Sequence, residues 1–146
     1  MIRQATTADL PKLEELAIQF YGMSKFLTGF NIAAFTGSWE YLLASGMGVI
    51  FLSEVEGEIR GALGAMAHPD VNSGRLIASE FFWFMHPNYR GGGMRLLQAY
   101  EDWAKERGCT EVRMVHLMDL GASSLKRIYE RRGYEAAEIH YRKEVA

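Results

Sequence analysis

Phe81-Phe82-Trp83-Phe84-Met85-His86-Pro87-Asn88-Tyr89-Arg90-Gly91-Gly92-Gly93-Met94-Arg95-Leu96-Leu97 decides how this chain is read. The apolar run predicts a buried strand, the glycines a turn, and Leu96, Leu97, Tyr100 and Trp103 one stripe of an amphipathic helix. A strand that enters a helix through glycines makes an anion site. The N–H groups of the first helical turn have no intrahelical partner, and the helix dipole adds its positive end.

Upstream, Ile2–Ala5 predicts a short strand, and Thr7 or Asp9 with Pro11 marks a helix start. Leu10, Leu13, Leu16, Ala17 and Phe20 continue that helix to about Gln19. Residues 21–38 hold Gly22, Gly29 and Gly37 and read as a loop with exposed aromatics Tyr21, Phe26, Phe30 and Phe35. Such a loop lines a substrate site or merely covers the core. Trp39–Ala44 predicts a short helix stopped at Gly46. Gly48–Glu54 and Glu58–Ala67 flank the turn residues Glu56-Gly57 and predict a hairpin. The small residues Gly61, Ala62, Gly64, Ala65 and Ala67 imply close approach by a neighbour. Arg75–Met85 is the third strand of this meander and the fourth of the chain, apolar on both faces and so expected to be central.

Downstream, Gly93–Arg107 is a helix ended by Gly108. Glu111–Met118 predicts a strand with Val112, Met114, His116 and Met118 on one face. Ala122–Arg132 predicts a helix ended by Gly133, and Tyr134–Val145 one bent or two short strands. The order is β-α-α-β-β-β-α-β-α-β, an α/β (α+β) domain with a mixed sheet, and residues 1–146 are expected to form one domain.

Bulk properties exclude several classes. The net charge of −2 argues against nucleic acid as partner. Residues 1–104 carry seven Lys/Arg and eleven Asp/Glu, a net −4, and residues 105–146 nine and seven, a net +2. That split suits an anionic ligand near the C-terminal half and a cationic one near the N-terminal half, or is surface charge without meaning. Cys109 is the single cysteine, so no intrachain disulfide forms. No signal segment or membrane-length apolar run is seen, which predicts a cytoplasmic protein away from membranes. The four His and one Cys have no metal-ligand spacing, so no metal is expected.

Three ligands compete for the glycine turn. A nucleotide P-loop needs Lys and Ser/Thr after its last Gly, and here Met94-Arg95 follows. A dinucleotide fingerprint follows a first strand, whereas this turn follows the fourth. The third ligand is a pyrophosphate held by successive N–H groups. A plain connection without ligand is the remaining alternative.

Here the chain resembles the GCN5-related N-acetyltransferases (GNAT). Their coenzyme A signature, Arg/Gln-x-x-Gly-x-Gly/Ala, is matched by Arg90-Gly91-Gly92-Gly93-Met94-Arg95 after Pro87-Asn88-Tyr89, with Arg95 departing at the last position. Ile128-Tyr129-x-x-x-Gly133-Tyr134 resembles the second motif, Leu-Tyr-x-x-x-Gly-Phe. The Asn that many relatives carry seven residues before that Tyr is Ala122. The resemblance covers essentially the whole chain. It implies a mostly antiparallel central sheet with helices on both faces. It also implies transfer of an acetyl group from acetyl-CoA to a primary amine of a small molecule or peptide, by direct attack through a tetrahedral intermediate.

The same resemblance implies roles for particular residues. Main-chain groups of Trp83, Phe84 and Met85 pair with the pantetheine arm, and Arg90, Gly91, Gly92, Gly93, Met94, Arg95 and Leu96 hold the pyrophosphate. Tyr129 is the candidate general acid, since a phenol of pKa about 10 suits a leaving thiolate. Glu80 is the first candidate base. It stands one residue out of register with a basic Glu of relatives, so a β-bulge is needed to aim it. His116 is the second candidate, and a chain of waters the third reading. Glu40, Glu54, Glu56, Glu58 and Glu80 favour a cationic acceptor. The family often forms dimers, and the predicted edge at Tyr134–Val145 offers a surface for one. Arg95 and Ala122 also suit a non-catalytic module that binds coenzyme A or a protein on the same fold.

Overall fold

The computed structural model describes the main chain of all 146 residues and every side chain except those of Arg90 and Ala122. It falls into two compact units, Met1–Val115 and His116–Ala146. The first holds a five-stranded sheet in the order β1 (Ile2–Gln4), β2 (Gly48–Val55), β3 (Glu58–Pro69), β4 (Leu76–Met85), β5 (Glu111–Arg113). All neighbours are antiparallel except β4 and β5, which run parallel. This is the mixed sheet the element order predicts, mostly antiparallel as the resemblance implies.

Two helices cover one face. A 3-10 segment, Thr7–Leu13, leads into α1 (Glu14–Tyr21), and α2 follows as Ile32–Ser45. Leu10, Leu13, Leu16, Phe35 and Trp39 pack there against Ile50, Leu52, Ala62, Phe82 and Phe84. α2 starts seven residues before the expected Trp39. The Asn31 side chain accepts the Ala34 N–H at 2.9 Å and caps it, and Gly46 in left-handed conformation (φ 73°) ends it. Phe35 is therefore a buried residue and not an exposed loop aromatic, and Phe30 packs beside it.

The other face carries α3 (Gly93–Glu106), whose Leu96, Leu97, Tyr100 and Ala104 have no exposed surface. The Tyr100 hydroxyl donates to the Arg113 carbonyl at 3.0 Å and ties the helix to the end of β5. The small residues of β3 serve close packing, as expected. A Cβ at Gly64 would collide with the Phe82 ring, and one at Gly61 with the Met85 thioether.

At the sheet edge, Arg3 bridges β1, the 3-10 segment and β2. Its Nη1 and Nη2 donate to Asp9 at 2.9 and 2.8 Å, and its Nη2 and Nε donate to Glu54 at 2.7 and 3.0 Å. Asp9 also accepts the Thr6 N–H at 2.8 Å. Arg3 holds the Asp9 carboxyl far below its ordinary range, with the Thr6 N–H assisting.

Two expectations fail in the C-terminal part. β5 ends at Arg113, so Met114, His116 and Met118 do not form one face of a strand. The second unit contains α4 (Ala122–Arg131), and no strand forms at Tyr134–Val145. Alternation of apolar and polar residues specifies a strand only where a neighbour pairs with it, and Ile139, Tyr141 and Val145 are exposed.

Candidate active site

The site is built on the end of β4. Its ladder with β5 has three pairs, Ile77 with Glu111, Ala78 with Val112 and Ser79 with Arg113. β4 continues through residues 80–85, past the last of these pairs. At the fork, the Glu80 carboxylate accepts the Val115 N–H through Oε2 at 2.9 Å. A side chain thus takes the main-chain donor that follows β5, and the two strands part.

Glu80 reaches this position through a bulge. Against β3, Phe82 pairs with Gly64 and Glu80 with Ala65, which leaves Phe81 as the extra residue. Residues paired across a ladder share a face. Glu80 therefore lies on the face of Ala65, which is also that of Leu63 and Trp83. Without the bulge it would lie on that of Phe82, among the core aromatics. The bulge that the sequence reading asks for at Glu80 is present in the fold.

Glu80 is 7% exposed. Burial raises its pKa from 4.5 to about 7, and the Val115 N–H, which favours the charged form, offsets part of the rise. A carboxyl poised near neutrality can accept a proton at physiological pH.

Beyond Met85 the chain makes a kinked 3-10 stretch, Pro87–Gly92, broken at Tyr89 (φ −132°, ψ 33°), and enters α3. None of Gly91, Gly92 and Gly93 has a positive φ. Two of them are needed for space. A Cβ at Gly92 would strike the Ser53 hydroxyl of β2, and one at Gly93 would press on Met85 at 3.3 Å. Around Gly91 there is open space. Among the described residues, no side chain caps α3, and its first turn holds no acid. The Arg60 guanidinium stacks over the Tyr89 ring at 4.6 Å, its buried Nε without a hydrogen-bond partner. A cleft of about 290 Å³ borders the turn, lined by Ser53, Asn88, Gly91, Gly92 and Arg95 among others.

This donor set fits a pyrophosphate. Uncapped N–H groups, an open glycine, Arg60 and Arg95 all favour negative charge. Arg95 stands beside the turn as part of the cleft lining. The side chains of Arg90 and Ala122, expected to hold the ligand and to lack a contact to it respectively, lie outside the described residues.

The remaining candidates are placed as follows. Tyr129 is on α4, half-buried, its ring 5.5 Å from that of Tyr134. The His116 Nε2 is 3.1 Å from the Leu120 carbonyl oxygen, so that nitrogen carries the proton and serves a loop. His68 Nε2 lies 2.9 Å from the Ser79 hydroxyl, and His86 Nδ1 accepts the Asn88 N–H at 3.2 Å. Among the described residues no cluster of three His, Cys, Asp or Glu side chains could hold a metal, and no helix is long and apolar enough to cross a membrane. Sequence reasoning missed Arg60, whose only signal is a cation on a strand next to the one that leads into the turn.

Comparison with known proteins agrees with this geometry. No curated protein matches the chain in sequence. Solved structures match its fold. Ribosomal-protein-alanine N-acetyltransferase from Brucella melitensis biovar Abortus 2308 is 16% identical, with a TM-score of 0.75 over 99% of both chains. An aminoglycoside acetyltransferase from an uncultured soil metagenomic sample, in complex with trehalose, is 20% identical, with a TM-score of 0.77 over 100% of this chain and 96% of that one. AAC(6')-Iy in complex with the bisubstrate analogue CoA-S-monomethyl-acetylneamine is 22% identical, with a TM-score of 0.78 over 99% and 98%. In sequence, residues 11–134 match the Acetyltransferase (GNAT) family. With the forked strand, the glycine turn and the uncapped helix in place, the match is of the whole architecture, and the chain belongs to the GNAT acetyltransferase family.

Proposed function

We propose that this chain transfers the acetyl group of acetyl-CoA to a primary amine, with Glu80 as the base and Tyr129 as the acid. One observation carries the reading. Glu80 sits where β4 and β5 part, buried and with its pKa raised to about 7, on the strand that leads into the glycine turn.

Acetyl-CoA, when bound, supplies the acyl group as a thioester. The residues of the chain do the rest. The N–H groups of Gly91–Leu96, with Arg95, hold the phosphates. Main-chain groups of Trp83, Phe84 and Met85 orient the pantetheine arm, and an N–H there polarises the thioester carbonyl. Glu80 takes the proton from the attacking amine, whose nitrogen must be neutral to form the new N–C bond. Tyr129 gives its phenolic proton to the sulfur as the C–S bond breaks. The Brucella enzyme is named for a ribosomal-protein alanine and the metagenomic one for aminoglycosides. Both are amine acceptors, which supports the reaction class without choosing the acceptor.

The test is calorimetric titration with acetyl-CoA, followed by thiol release over a panel of primary amines. The expected result is binding, turnover with at least one amine, and a loss of about 10²-fold in kcat for Tyr129→Phe and Glu80→Gln. Binding without turnover on any amine would instead mark a non-catalytic coenzyme A module.

A further inference from the structure

Phe81 stands where a phenylalanine gains little from folding. Phe81 lies past the last β4–β5 pair, where β4 has only β3 beside it, and it is 49% exposed. It is the residue left over by the bulge, directly after Glu80. Its ring meets that of Trp39 edge to face, with centroids 6.2 Å apart at 79°. Trp39 is buried and holds the Phe82 ring in the same manner at 5.4 Å. The bulge thus turns two successive rings toward one indole and leaves the outer one open to solvent. An isolated exposed apolar side chain needs no explanation. This one is fixed by a buried partner on the face opposite that of Glu80, at the stretch of β4 that β5 leaves unpaired.

Trp39 in turn meets Phe35 at 6.5 Å and so joins Phe81 to the aromatic cluster of α1 and α2. There Tyr21 and Phe30 lie 4.7 Å apart, and Phe30 meets Phe35 at 5.7 Å. Between α1, α2 and β4 lies a gap of about 20 Å³, lined by Phe20, Tyr21, Phe35, Phe82 and Phe84 among other apolar residues. Residues 19–39 contain one charged side chain, Lys25, and no carboxylate.

Apart from Glu80 itself, the acids that favour a cationic acceptor in the sequence stand elsewhere. Glu54 is held by Arg3. Glu56 and Glu58 are exposed at the β2–β3 hairpin, and Glu40 is exposed on α2. A polycation would shed water against this wall with a single carboxylate, Glu80, to replace it. A flat apolar group would gain burial and ring contacts.

We propose, resting on the acetyltransferase reading above, that the acceptor is a primary amine with an aromatic or flat apolar body seated on Phe81, and that Phe81 sets this specificity.

The experiment uses the full chain with acetyl-CoA and measures thiol release for 2-phenylethylamine, methylamine, spermidine and kanamycin. The expected kcat/KM for 2-phenylethylamine exceeds each of the others by about tenfold or more. Phe81→Ala raises the KM for 2-phenylethylamine about tenfold, keeps kcat within about twofold, and leaves the acetyl-CoA Kd from calorimetry unchanged. Phe81→Tyr retains the wild-type KM, which separates ring stacking from a folding defect. A preference for spermidine or kanamycin, or a KM that Phe81→Ala does not move, overturns this proposal and leaves the acetyltransferase reading standing. Acetyl-CoA binding with no amine acetylated overturns that reading, and this proposal with it.

Discussion

The Glu80 carboxylate occupies the Val115 N–H at 2.9 Å, at the point where β5 stops pairing with β4. One contact thereby does two things. It parts the strands and holds a buried carboxyl whose pKa stands near 7.

Glu80 makes folding pH-dependent with a definite sign. The folded pKa is raised above the unfolded value, so the native state keeps a proton that the unfolded chain releases. Stability from this group is full below about pH 4.5, falls as pH rises to about 7, and is level above that. The whole drop is about 3 kcal/mol. Denaturant unfolding of the wild type minus Glu80→Gln, from pH 4 to 8, isolates it. Glu80→Gln should be the more stable protein at pH 8. In the same variant, a rise of kcat/KM with pH near 7 should disappear.

Asp9 has the opposite sign. Its folded pKa is depressed by Arg3, so its contribution is present above pH 3.8 and is lost as pH falls below that. Asp9→Asn removes one acceptor oxygen from the paired Arg3 donors and leaves the guanidinium facing an amide. The expected cost is about 2 kcal/mol in chemical unfolding at pH 7, and it should shrink toward pH 2.

The glycines of the turn should separate structure from binding. Gly92→Ala pushes a methyl into Ser53 and is expected to cost about 1–3 kcal/mol of stability. Gly91→Ala meets open space and should leave the melting temperature unchanged while weakening acetyl-CoA in calorimetry. Equal thermal losses in the two variants would contradict this division.

The hairpin offers a stabilising change. Glu56 has φ 53° and Gly57 φ 78°, so both central residues are left-handed. Glutamate is a poor choice there, and Asn-Gly is the preferred pair. Glu56→Asn should raise stability by about 0.5–1 kcal/mol in thermal or urea unfolding, without altering acetyl-CoA affinity.

Much of this architecture is written locally. The hairpin turn, the apolar run of β4 and the stripe of α3 each follow from spacing and turn chemistry within a few residues. The start of α2 was hidden because Gly37 and the lack of charged residues blur the helical period, although Asn31 marks the cap. β5 reads too long because its end is set by Glu80, 35 residues away. The Arg3–Asp9–Glu54 network is equally non-local, since nothing near Arg3 announces a partner 51 residues on. The bulge could be inferred only as a misregister, and the exposure of Phe81 depends on where Trp39 packs.

Transfer of an acetyl group to a primary amine is read out by mass spectrometry of the product. Wild-type protein is incubated with acetyl-CoA carrying a deuterated acetyl group and 2-phenylethylamine at pH 8, with a tertiary amine of the same shape as control. The expected products are the deuterated amide of the primary amine and one free thiol per amide, with neither from the tertiary amine. Thiol release at the same rate with both amines, and no amide, would mean that water is the acceptor and would contradict transfer to the amine.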